Sequence, residues 1–206
     1  NTKIKNKEKS LIQHSFKKIF LTIKSISQNK RIFLFLLAFF LYIDGVHTVM
    51  SSAVVYAKLL ELDDSAIIIG LLIVQFVAFP FTIFWSYIAD KFGDKLVIYL
   101  SILIYVLVIL FSLTLDNSFE FYILAALVGS VQGGIQASSR SFFAFIIPKD
   151  KSGEFFGFFN MFGKAGAFIG PTLVGVAVSP DNIQLALLPV ILLFIIGGVI
   201  LIGVKD

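Results

Sequence analysis

Residues 129–140 read GSVQGGIQASSR, and how they are read decides the fold. They lie inside an apolar run, 119–147, long enough at about 1.5 Å per residue to cross a bilayer core of about 30 Å. Gln132, Gln136 and Arg140 follow one another at intervals of four, so on a helix they stack along one face. A charge at bilayer depth costs roughly 2.5–3.5 kcal/mol even on the lenient insertion scale. The stripe therefore has to face other helices or a wet cavity, not lipid. Gly129 and Gly133 share the same spacing and let a second helix approach closely.

The remainder of the 206-residue chain has the same character. It is 58% hydrophobic and only 15% charged, where a soluble domain carries about 25% charged residues. The charges gather in the first 31 residues and in short segments between apolar runs. That is the layout of a polytopic membrane protein. The absence of cysteine excludes disulfides and thiolate chemistry. Residues 1–30 read as a basic amphipathic linker: Ile12, Phe16, Ile19, Ile23 and Ile26 recur at helical spacing, with Lys17, Lys18 and Lys24 on the other side. Such a segment lies on an anionic membrane surface or serves as a solvated connection.

From residue 31 to 206 the pattern predicts a six-helix transmembrane bundle, with spans at 32–57, 66–89, 96–115, 119–147, 154–178 and 183–204. Asp44, Gly45 and His47 are expected to interrupt the middle of the first span, and Pro80 to kink the second. The third and sixth spans are bare of charge. Connections after even-numbered spans hold Lys91, Lys95, Lys149 and Lys151, whereas those after odd-numbered spans hold Glu61, Asp63, Asp64, Asp116 and Asp181. The positive-inside rule then puts both termini in the cytoplasm. Six spans divide into two triples, and because each triple crosses an odd number of times the second is inverted relative to the first. In each triple the first helix carries the mid-membrane polar groups.

Four stretches carry a family resemblance. Residues 86–95, SYIADKFGDK, resemble the cytoplasmic loop signature of the major facilitator superfamily, with Asp90, Lys91, Gly93 and Lys95 at the matching positions. Ser86 stands where that pattern has Gly and Asp94 where it has a base. Residues 40–49 (FLYIDGVHTV), 131–141 (VQGGIQASSRS) and 154–171 (EFFGFFNMFGKAGAFIGP) look like the branch related to the fungal vacuolar amino-acid effluxer. The resemblance covers 32–178 in the order of that family's seventh to eleventh helices. It implies that the chain is the carboxy-terminal half of a twelve-helix transporter working by alternating access. The first helix of each triple would line the cavity, and the first 30 residues would be the central cytoplasmic loop.

Several residues carry candidate chemistry, each with a structural alternative. Asp44 sits twelve residues into its span, about 18 Å deep. A carboxylate held away from water can carry a proton or meet a substrate amine; the alternative is an ion pair or a capped helix break. Lys164, about 15 Å from its helix end, is expected to approach Asp44 in one conformational state; the alternative is snorkelling toward the headgroups. Arg140 would meet an anionic group, with Asn160 and Glu154 at similar depth, or brace two helices. Gln132 and Gln136 suit substrate hydrogen bonding or interhelical contacts. His47 is a proton relay or a packed histidine. Asp90, Lys91, Gly93, Lys95 and Glu154 are assigned to gating, Gly170 to a small-residue packing face, and Pro171 to a hinge.

These readings converge on an all-α membrane protein in a bacterial plasma membrane: a six-helix bundle of two inverted three-helix repeats. The expected function is secondary transport of a small solute, amino acids first from the resemblance, coupled to a proton or another ion. The expected partners are the solute, membrane lipids, and an amino-terminal six-helix half or a second copy. No nucleic-acid, metal or cofactor motif is present in the sequence, and no nucleophile elbow or phosphate loop that would make an enzyme. The competing expectation is a structural or regulatory membrane protein with no solute cavity.

Overall fold

Asn29 opens the first helix, α1 (Lys30–Leu59), by accepting the Ile32 amide at 3.3 Å through its side chain. α2 (Asp64–Phe92) and α3 (Asp94–Ser112) follow, separated by Gly93 alone, whose φ of 91° is left-handed and suits glycine. Asn117 caps α4 (Ser118–Ile146) by accepting the Glu120 amide at 3.0 Å, while the Glu120 carboxylate takes the Asp116 amide at 2.9 Å. A 3-10 turn (Lys149–Lys151) leads to α5 (Ser152–Ala165) and α6 (Ile169–Ala177), and a second (Ile183–Leu187) to α7 (Leu188–Ile202). This computed structural model describes residues 23–177 and 183–205. Most of the expected linker, residues 1–22, and Asp181 lie outside the described residues.

Among the described residues, five helical stretches are long and apolar enough to cross a membrane: α1, α2, α3, α4 and the stretch Leu185–Ile202. The fifth crossing predicted from sequence, 154–178, is made of two pieces. α5 ends at Ala165, and α6 starts at Ile169. Two expectations are thereby corrected. α1 runs unbroken through Asp44, Gly45 and His47, and the interruption falls instead in the fifth segment. Pro171 supplies the reason. It cannot donate to the carbonyl four residues back, and its ring crowds that carbonyl, so the helix restarts with Pro171 in its first turn. Gly45 is needed for contact, not for a break: a Cβ there would lie 2.8 Å from the Phe194 ring.

The packing follows two inverted triples. α1 lies closely along α7, and its counterpart α4 lies along α3. α2 packs against α4, and the broken pair α5 and α6 packs against α1. The α2–α4 contact is the closest in the bundle, and small residues permit it. A Cβ on Gly129 would lie 2.6 Å from the Val74 carbonyl oxygen, and one on Gly134 would lie 2.6 Å from the Trp85 ring. Trp85 adds a hydrogen bond from Nε1 to the Ser130 carbonyl at 2.6 Å. Two buried tyrosines are tied in the same way: Tyr42 Oη hydrogen-bonds Ser139 Oγ at 2.7 Å, and Tyr56 Oη donates to the Ser112 carbonyl at 2.5 Å. Many large apolar side chains point outward, Phe76 and Phe79 on α2 among them, as lipid or a companion bundle requires.

One contact holds the restarted helix. Asp44 is completely buried, and its Oδ2 accepts the Gly170 amide at 2.9 Å. The amides of Ile169 and Phe168 also face this carboxylate. Asp44 thus caps the amino terminus of α6 from a neighbouring helix. Such a terminus carries unsatisfied N–H groups and partial positive charge, and a bilayer offers no water to meet them. Thr48, one turn along α1, seals the same junction, because a Cβ on Gly170 would lie only 1.9 Å from Thr48 Oγ1.

Two outcomes follow for stability, both measured by thermal denaturation of the detergent-solubilised protein. Asp44→Ala will destabilise by about 1–3 kcal/mol, the cost of stranding buried amides, and Asp44→Asn, which keeps an acceptor oxygen, by less. Gly129→Val will cost about 1–3 kcal/mol or more by forcing α2 from α4, whereas Gly175→Ala, where a Cβ meets nothing within 4 Å, will leave the midpoint unchanged.

Candidate functional site

On α1, Phe39, Ile43 and His47 fall at intervals of four and form one stripe; Asp44 and Thr48 form the next stripe around the helix. The first stripe faces a cavity of about 320 Å³, completed by Gln136 and Arg140 from α4 and by Phe159, Asn160, Gly163 and Lys164 from α5. The second stripe faces the break between α5 and α6. A rotation of about 100° per residue separates the two environments.

The cavity lining combines aromatic rings with polar groups. Phe39 and Phe159 stack at 4.1 Å between ring centroids, and Phe159 stacks in turn on Phe143 at 4.9 Å. These rings anchor α1, α4 and α5 together at the cavity edge. The same lining holds two amides, an imidazole, a guanidinium and an ammonium. Gln136, Arg140, Asn160 and Lys164 are solvent-accessible, while His47 is half-buried and its Nδ1 meets no hydrogen-bond partner. Neither Arg140 nor Lys164 is ion-paired among the described residues, where Lys58 and Asp64 form a pair at 4.0 Å on the surface.

The geometry thus brings together His47, Gln136, Arg140, Asn160 and Lys164, and leaves two of the sequence candidates outside. Asp44 does not line the cavity and is not paired with Lys164. Its Oδ1 is buried without a partner behind the α1 wall. Gln132 is half-buried on α4 with Oε1 unpartnered, one turn from Gln136, and it too is absent from the lining. No cluster of three or more His, Cys, Asp or Glu able to hold a metal occurs among the described residues.

The residues assigned to gating are spread over two regions. Asp90 and Lys91 are exposed at the end of α2, with the Lys91 ammonium over the Phe92 ring at 5.4 Å. Lys95 donates from Nζ to the Val204 carbonyl at 2.6 Å and so ties the start of α3 to the chain beyond α7. The Asp94 carboxylate faces the hydroxyls of Ser138 and Ser141 on α4. Glu154 stands in the first turn of α5, and Gly170 and Pro171 in the first turn of α6. Reading the sequence missed Thr48 and the ring wall of Phe39 and Phe159. The signal for Phe39 was its place two turns before His47; nothing local marks Thr48, whose partner lies far along the chain.

Comparison with known proteins fits this architecture. The family profile described as vacuole effluxer Atg22 like matches residues 1–206. The chain is 41% identical over 201 residues to the "Uncharacterized MFS-type transporter YxiO" of Bacillus subtilis (strain 168), an alignment covering 97% of this chain and 47% of that protein. It is 32% identical over 181 residues to Autophagy-related protein 22 of Vanderwaltozyma polyspora, covering 81% of this chain and 34% of the relative. Autophagy-related protein 22-1 of Penicillium rubens is likewise 32% identical, over 178 residues, with 79% and 30% covered. The chain therefore spans less than half the length of these relatives. Matched along its whole length, this membrane bundle belongs to the vacuole effluxer Atg22-like family, within the major facilitator superfamily.

Proposed function

We propose that this chain is the carboxy-terminal half of a twelve-helix secondary transporter. It moves a small solute by alternating access, with both termini on the cytoplasmic side. The observation that carries this reading is the cavity where His47, Gln136, Arg140, Asn160 and Lys164 meet, between helices α1, α4 and α5. A structural membrane protein gains nothing from gathering two unpaired cations around one hollow, where packed apolar residues would hold the helices together. Relatives named as an MFS-type transporter and as vacuole effluxers support the same conclusion. The exposed apolar faces of α2 suit a companion bundle or a second copy as well as lipid.

Coupling to a proton or another ion falls to Asp44 and His47 in this proposal. Asp44 keeps one buried oxygen free of hydrogen bonds, and His47 one ring nitrogen. Asp44 caps α6, so a change in its charge alters the grip on that half-helix. His47 lies on the same helix within the cavity wall and connects the two regions.

Three measurements test the proposal. In proteoliposomes holding the full-length transporter, Gln136→Ala and Lys164→Ala will each lower solute uptake tenfold or more without shifting thermal stability; uptake unchanged in both would remove the cavity from the mechanism. Asp44→Asn will abolish gradient-driven accumulation while solute exchange at equal concentrations persists. For topology, a single cysteine replacing Glu61 in a cysteine-free background will react with an impermeant maleimide in intact cells. One replacing Lys149 will react only after permeabilisation, and the opposite pattern would invert the assigned orientation.

A further inference from the structure

We propose that the solute is a small organic anion, one whose carboxylate or phosphate group lies between Arg140 and Lys164. The inference rests on the transporter reading above and adds to it a substrate class. Its basis is the charge inventory of the cavity. Among the described residues no Asp or Glu lines it, while a guanidinium and an ammonium do, and neither has an ion-pair partner. An unpaired guanidinium and an unpaired ammonium that line one hollow attract a negative group. Arg140 offers the planar fork that suits a carboxylate or a phosphate, and Lys164 a compact point charge. The amide NH2 groups of Gln136 and Asn160 add donors beside them.

Asp44 explains why the cavity keeps its positive balance. It is the carboxylate nearest in sequence to the lining residues of α1, and it is turned from them toward the Gly170 amide. A substrate ammonium would thus find no carboxylate among the described residues that line the cavity. The stacked rings of Phe39 and Phe159 line the same cavity, so the anion carries an apolar body of modest size. This separates the proposal from the zwitterionic amino acids that the family likeness suggests, since half of a zwitterion's charge would go unmet here.

Three probes that share one carbon skeleton isolate charge as the variable: 3-phenylpropionate, phenylalanine and phenylalaninamide. Binding is read by thermal shift of the purified full-length transporter, and uptake in proteoliposomes. The expected order is 3-phenylpropionate first, phenylalanine weaker, and phenylalaninamide without effect. Arg140→Gln and Lys164→Gln will each weaken the apparent affinity for 3-phenylpropionate at least tenfold, and Lys164→Glu will shift the preference toward phenylalaninamide. Phenylalaninamide or phenylalanine bound as tightly as the anion, or full affinity for the anion in both glutamine variants, would overturn the proposal. In that event, uptake of either probe that still depends on Gln136 would leave the transporter reading intact. A failure of all three probes to bind or accumulate would remove both.

Discussion

A helix that begins inside a membrane presents amides that no water can reach, and the Asp44 carboxylate is what answers them. The bundle around the fifth crossing depends on this contact. Pro171 forbids a continuous helix there, and the restart at Ile169 leaves a positive terminus in the interior. A carboxylate from α1, itself wholly buried, closes that terminus at 2.9 Å. Each group makes the other tolerable. The charge would be costly without the amides, and the amides would be costly without the charge. Pro80 in α2 shows the contrast, because there the helix runs on through the proline and needs no cap from outside.

The same helix that supplies the cap also forms a wall of the cavity. Its stripe of Phe39, Ile43 and His47 looks into the hollow while Asp44 and Thr48 look into the break. α5 carries Asn160 and Lys164 on the cavity side and ends one residue beyond Lys164. A displacement of α5 and α6 against α1 would therefore act on both places at once, through the stacked rings and through the cap. Such a linkage is what a device that exchanges two arrangements requires. The withdrawal of Asp44 from the hollow is also what leaves its wall cationic.

Close approach between helices gives this arrangement its rigidity. Lipid supplies no hydrophobic drive between α2 and α4, so their association relies on backbone proximity and polar ties. Gly129 and Gly134 provide the first, and the bond from Trp85 to the Ser130 carbonyl provides the second. Gly45 and Gly197 do the same for α1 and α7, since a Cβ on Gly197 would lie 3.1 Å from the Ala38 carbonyl. The pairing of α1 with α7, and of α4 with α3, makes the two triples recognisable as inverted copies.

What the sequence determined by itself was the membrane class, the all-α bundle of apolar helices, and the close contact at Gly129. Length, hydropathy and residue spacing are local properties, and a bilayer imposes them directly on the chain. The stripe of Gln136 and Arg140 was equally legible, because the cost of burying charge forces it toward an interior wherever that interior lies. Only the tertiary structure decided where the polar residues of α1 face. Asp44 and His47 are three positions apart on one helix, within about 4.5 Å along its axis, yet one caps α6 and the other lines the cavity. Their separation depends on the helix staying continuous through Gly45 and on a proline more than a hundred residues later breaking another helix beside it. A spacing pattern within one segment carries no information about the neighbour that packs against each face, and that neighbour sets the role of each polar group.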